Sequence, residues 1–289
     1  MSGGIATNDD IASEMSHEPV TTGSANAAKR GTLRLVFAFV VEWMPSLGLA
    51  IALFAAWEAI VRLKDIQRWL LPAPSGIGEE LWSSRSTLWS NAVVTGEEVV
   101  IGFGIAIVVG IALAVAISYS RLLERAVYPF VIASQTIPII ALAPLLLVWV
   151  GPEKTSKIII VALITFFPIV VNLVDGLRSA DRASIDMFRT LGATRWQIFL
   201  KLQAPSALPF FFSGLKISAV FAVIGAVIGE WVGGSAGLGW LMQVSRPLFR
   251  TELVFASIFV LSAMAILLFL LVVFIERWAL RHYPHGEQI

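Results

Sequence analysis

The sequence predicts an all-α membrane protein of about six transmembrane helices, with a polar two-helix loop between two of them. Three observations carry that prediction. Hydrophobic residues make up 57% of the 289 residues and charged residues only 14%, far from the balance of a water-soluble domain. The apolar residues gather into runs of roughly 20, the length that crosses a bilayer as a helix. Between two such runs, residues 175–207 turn polar while keeping a helical period. Ten tryptophans suit a chain that meets many membrane–water interfaces. Cysteine is absent, which excludes disulfides, thiolate metal sites and a cysteine nucleophile. A net charge of +1 gives no reason to invoke nucleic acid.

Residues 1–30 are rich in Ser, Ala, Thr, Asn and acidic side chains, and are expected to form a disordered tail. They lack the short apolar core and small-residue cleavage site of a signal peptide. Residues 33–41 are too short to span and are expected to lie along the interface. The first span is predicted at 45–60. A turn at 70–76 and an amphipathic helix outside the bilayer at 77–89 follow. Span two is predicted at 93–117, with Gly102, Gly104 and Gly110 allowing close helix contact. Span three, 126–150, contains Pro138 and Pro144, so it is kinked or broken there. The carbonyls freed by the break must face protein or a watery cavity.

Gly151-Pro-Glu-Lys is a tight connection to span four, 158–174, which contains Pro168. Span five follows the polar loop at 208–228. The glycine-rich segment 233–239 then forms a flexible re-entrant or external loop, and span six is predicted at 254–275. With six spans, both tails and the polar loop share one side. That side would hold Lys29, Arg30, Arg34, Arg121, Arg125, Arg178, Arg182, Arg189, Arg195, Lys201, Arg277 and Arg281. The excess over the other side is modest and favours the cytoplasm.

The polar loop is the focus of the chain. Gly192-Ala-Thr breaks it into two short helices, and Gly suits a left-handed closing residue. Thr194 is the expected N-cap of the second helix, and Pro205 is expected to end it. Asp186 is expected near the start of the first helix, where a carboxylate favours the helix dipole. Met187, Leu191, Ile198 and Leu202 are expected to share one apolar face.

From Asp186 to Pro205 the loop resembles the signature of permease subunits in binding-protein-dependent, ATP-driven importers. That pattern reads Glu-Ala-Ala-x-x-x-Gly-x9-Ile-x-Leu-Pro. Asp186 stands at its Glu, Gly192 at its Gly, Leu202 at its Ile and Pro205 at its Pro. Met187 and Phe188 replace the two alanines, and Ala204 the leucine. The resemblance implies the type I importer fold, with residues 31–283 as the transmembrane permease domain and 284–289 as a C-terminal tail. It also implies multi-pass residence in the inner membrane and cytoplasmic ATP-binding subunits. Those subunits would grip Asp186, Met187, Leu191, Gly192, Arg195, Ile198, Leu202 and Pro205. An extracytoplasmic solute-binding protein would deliver the solute, and a second permease copy would complete the pore. The segments 207–216 and 223–239 look like the nitrate, sulfonate and taurine group of these permeases. Within it they are nearest to members assigned to pyrimidine precursors of thiamine.

The residues themselves point to no catalysis. Gly-x-x-x-x-Gly-Lys-Ser/Thr is absent, so ATP energy must come from another chain. No serine-nucleophile elbow, metal-ligand spacing or paired intramembrane carboxylate is visible, and no cofactor or metal is expected. Lys216 lies inside span five, where a charge normally faces protein or water. It either snorkels or makes a structural contact, or it serves the pathway as a gate. Glu230 ends the same span, meeting a binding protein or marking the interface. Pro138 and Pro144 complete the candidate pathway set. Gly225 and Gly229 form a close-approach pair, within the chain or between subunits. The resemblance to the thiamine-precursor members implies a small heterocycle as substrate, and the lack of a cation cluster within the spans mildly disfavours a bare anion. Sulfonate, taurine or nitrate is the alternative. An ion-coupled secondary carrier would need carboxylate relays at the span centres, which are not seen. A non-transporting membrane scaffold is the remaining reading.

Overall fold

The computed structural model describes residues 44–281. The tails, the segment at 33–41 and the three cations Lys29, Arg30 and Arg34 lie outside the described residues. The chain divides into two compact units, one through Ile60 and one from Val61 onward. Helix α1, Met44–Leu63, is a spanning helix four residues longer than the sequence run. Leu47, Ile51, Leu53 and Leu63 are exposed along it, as a helix wetted by lipid requires.

In the second unit, α2 is Pro74–Ser83, with Pro74 in its first turn. Proline fits there because the first amides of a helix have no partner to lose. The predicted turn at 70–76 therefore ends three residues early. Ser84 then breaks the predicted helix at 77–89, and α3 begins at Arg85 and runs to Tyr119. Residues 85–89 thus belong to a spanning helix rather than to a helix outside the bilayer.

Helices α4, Arg121–Ser134, and α5, Ile139–Val150, are the predicted broken span. They meet at 100° across residues 135–138. Pro138 caps α5 with an extended ψ of 117°, while Pro144 lies inside α5 without breaking it. Gly151, at φ 99°, turns the chain into α6, Lys154–Arg178.

Helix α7 is Arg182–Thr190 and α8 is Arg195–Ile198. A π-helical turn, Phe199–Gln203, joins α8 to α9, Ala204–Gly233, so that Arg195–Gly233 is one continuous helical run. Pro205 therefore does not end a helix. The wide turn before it lets the Ala204 amide reach back to the Phe199 carbonyl, and Pro205 becomes a first-turn residue of α9. Helix α10, Leu238–Ser245, and α11, Thr251–Leu280, complete the unit. Among the described residues, five helices are long and apolar enough to cross a membrane, or six if the bent α4–α5 pair counts as one.

The core is α3, α6 and α9. Glycines let their backbones approach. A Cβ on Gly102 would lie 2.6 Å from the Val161 side chain, and one on Gly110 would lie 2.9 Å from Ile169. Gly104 meets nothing within 4 Å and is not part of a contact. Along α9, Gly214, Gly225 and Gly229 face the α6 backbone at Pro168, Val161 and Lys157. The Gly225–Gly229 pair therefore serves packing within the chain. These pairings run antiparallel, so α7–α8 joins α6 and α9 at one end of the core and α10 lies at the other.

Candidate functional site

The loop end is built from capping chemistry. The Asp181 carboxylate caps α7, accepting from the backbone amides of Ala183 and Ser184 at 3.3 and 2.9 Å and from the Ser184 hydroxyl at 2.7 Å. The Ser184 hydroxyl first, and then the Ser184 and Ala183 amides, hold this carboxyl below its ordinary pKa. Asp186 is not at the helix start as expected. It sits in the middle of α7 and pairs with Arg189 at 3.0 Å, with both side chains mostly exposed. The helix closes on Gly192 at φ 79°. The amides of Gly192 and Ala193 reach back to the carbonyls of Arg189 and Phe188, both at 2.9 Å, which is the Schellman arrangement. Thr194 caps α8 as expected, in a reciprocal box with Gln197.

The apolar residues of the loop do not share one face. Met187 and Leu191 are exposed, whereas Ile198 is 5% exposed and Leu202 is half-buried. The other exposed apolar residues of the loop are Trp196 and Leu200. Phe199 points inward, 9% exposed, into a cluster with Ala114, Ile117, Val174 and Leu177. It stacks on Trp196 and meets the edge of Tyr119, with ring centroids 5.3 and 6.3 Å away. Phe199 thus fixes the loop to the core. Arg195 lines a groove with Arg121 and Arg189.

At the α4–α5 break a cavity of about 360 Å³ opens, lined by Gln135, Pro138, Phe166, Phe221 and aliphatic residues of α5, α6 and α9. No charged side chain lines it. Of the four pathway candidates only Pro138 reaches this cavity. Pro144 lies further along α5. Lys216 pairs with both carboxylate oxygens of Glu276 on α11 at 2.9 Å, the structural contact that was one of its two readings.

Glu230 is not at an interface but fully buried. Its carboxylate accepts from Thr95 Oγ1 at 2.6 Å and from the amides of Gly239 and Trp240 at 2.5 and 3.3 Å. Asn91 Oδ1 accepts from the Gly237 amide at 2.8 Å, and Thr95 Oγ1 accepts from Leu238 at 2.9 Å. The glycine-rich segment is thereby tied down rather than left flexible. Lys157 Nζ lies 3.7 Å from Glu98, and the two side chains are 6% and 0% exposed. Among the described residues neither Glu98 oxygen has a hydrogen-bond partner. Sequence reasoning saw no paired intramembrane carboxylate, yet the fold brings Glu98 and Glu230 into one buried cluster. The signal was present as Asn91, Thr95 and Glu98, at i, i+4 and i+7 on one helix face.

Residues 106–282 match the family described as "binding-protein-dependent transport system inner membrane component". The chain belongs to this family. It is an inner-membrane permease of the ABC importer class, a transport protein rather than an enzyme, and it works with ATP-binding subunits. The riboflavin transport system permease protein RibX of Chloroflexus aurantiacus is 42% identical, over 83% of this permease and 91% of that one. The formylaminopyrimidine transport permease protein ThiX of Halalkalibacterium halodurans is 41% identical, over 74% and 86%. The taurine transport system permease protein TauC of Escherichia coli is more distant, 27% identical over 77% and 84%. In fold, the permease is similar to a chain of the MetNI methionine ABC transporter in its inward-facing conformations. The TM-score is 0.58 at 21% identity, covering 69% of this permease and 97% of that chain.

Proposed function

We propose that the permease carries a flat nitrogen heterocycle, of the thiamine pyrimidine precursor or flavin kind, along the cavity at the α4–α5 break. One observation carries this reading most directly. The cavity offers two aromatic rings, Phe166 and Phe221, and one exposed amide, Gln135, with no cation in its lining. Aromatic faces and a donor–acceptor amide suit a planar heterocycle, whereas a bare anion would be left without a counter-charge. RibX and ThiX, relatives above 40% identity named for riboflavin and formylaminopyrimidine, support the same class. A solute-binding protein outside and a second permease copy are part of this reading, as is the α7–α8 loop seated in the cytoplasmic ATP-binding subunits.

Cells lacking this chain should lose high-affinity uptake of a labelled aminopyrimidine precursor or riboflavin and keep growth on sulfonates, taurine and nitrate. Gln135→Ala should raise the uptake KM about tenfold, the loss of one or two hydrogen bonds to a bound ring. Loss of sulfonate, taurine or nitrate utilisation, with heterocycle uptake intact, would assign the path to those anions instead.

A further inference from the structure

Beside the loop lies a groove of about 720 Å³ between the α3–α4 corner and α7–α8. Three arginines line it, Arg121, Arg189 and Arg195, and no carboxylate does. Arg189 is held by Asp186. Among the described residues neither Arg121 nor Arg195 pairs with a carboxylate. Ser118, also on the wall, carries a buried hydroxyl that finds no hydrogen-bond partner among the described residues. The groove is polar, cationic and placed where α3 leaves the membrane-spanning core.

A second cavity of about 180 Å³ lies between α3, α6 and α9. Its walls include Ile111, Val115, Leu208 and Phe211, and every residue lining it is apolar. Ile111, Val115 and Ser118 follow one another at helical spacing on one face of α3. On the other wall Phe199 lines the apolar cavity and its neighbour Ile198 the cationic groove. A cationic groove and an apolar cleft are thus lined by adjacent residues along one seam, at Val115 and Ser118 of α3 and at Ile198 and Phe199.

We infer that this seam is a binding site for one anionic phospholipid. The arginines take the phosphate, and an acyl chain lies along Val115 and Phe211. The apolar cleft favours a lipid over acidic side chains of an ATP-binding subunit, since a water-soluble partner has no segment to place there. Arginine matches phosphate by geometry as well as charge, and each basic residue at a membrane surface contributes about fivefold in affinity for anionic lipid.

The test uses the intact permease–ATPase complex, purified in detergent and incubated with vesicles of phosphatidylcholine and deuterated phosphatidylglycerol. Lipid retained per complex after washing is read by mass spectrometry. The wild type should retain phosphatidylglycerol in preference to phosphatidylcholine. Arg121→Gln, on an exposed side chain, should weaken that retention about fivefold. Val115→Trp, which fills the cleft and leaves every arginine in place, should abolish it. Absence of preference in the wild type would overturn the assignment, as would unchanged retention in Arg121→Gln. Loss of the lipid on adding inorganic phosphate would also overturn it, and reassign the groove to a soluble anion. Absence of bound lipid from the intact complex would give the arginines to the ATPase interface. Should Val115→Trp fail to assemble, the surface variant alone decides.

Discussion

At Glu230 a single carboxylate holds together three parts of the chain: α3 through Thr95, its own helix α9, and the first turn of α10 through the Gly239 and Trp240 amides. Amides at a helix N-terminus carry partial positive charge and have no other acceptor, so the carboxylate is well placed there. Lys157 and Glu98 lie in the same dry volume. Removing the Glu230 carboxylate leaves the Gly239 and Trp240 amides without their acceptor, at a cost of about 1–3 kcal/mol each. Glu230→Ala is therefore expected to lower the thermal midpoint of the purified complex by several degrees or prevent its assembly. Glu97→Ala, which removes an exposed partner of Lys154, should leave the midpoint nearly unchanged. Equal melting of the two variants would show that the cluster does not support the far end of the molecule.

At the scale of elements, the α7–Gly192–α8 unit is rigid because each helix is capped from its own sequence. Nothing lies within 4 Å of a Cβ added at Gly192. The requirement for glycine is thus conformational, set by φ 79°. A β-branched residue there is strained by about 1–3 kcal/mol and should reorient α7 relative to α8. Gly192→Val is expected to insert normally but retain less ATPase on co-purification, with weaker solute-stimulated ATP hydrolysis in vesicles. Asp186→Ala should act far more mildly, because its exposed pair with Arg189 contributes little. Full ATPase retention and normal stimulation in Gly192→Val would remove this unit from the coupling pathway.

At the scale of the whole molecule, α9 alone has 30 residues, about 45 Å of helix, more than the roughly 30 Å hydrocarbon layer. Its two ends, and with them the α7–α8 loop and the segment before α10, must lie on opposite sides of the membrane. Thr194 and Ser235 are both exposed at those ends, and the chain has no cysteine. Thr194→Cys should resist an impermeant thiol reagent applied to intact cells, while Ser235→Cys should react. The reverse pattern would invert the orientation given by the lysine and arginine count.

The sequence by itself determined the spans, the break at Pro138, the bend at Gly192 and the cap at Thr194. Each follows from a local rule: the length of an apolar run, a missing amide, a positive φ, or a hydroxyl beside the first turn. It also determined the family, through the spacing from Asp186 to Pro205. Only the tertiary structure decided which side chains meet. Packing of Phe199 into the core buries Ile198 and leaves Trp196 and Leu200 exposed, and a π turn follows with the Ala204 amide on the Phe199 carbonyl. Pro205 joined α9 for the same reason. Glu98, Glu230 and Lys157 converge from helices far apart in the chain, so no window of sequence contains the pair. Gly225 and Gly229 could have served a contact within or between chains, and the path of α6 beside α9 chose the first. Local steric and hydrogen-bonding constraints are written residue by residue, whereas the burial of charge is decided where separate helices come together.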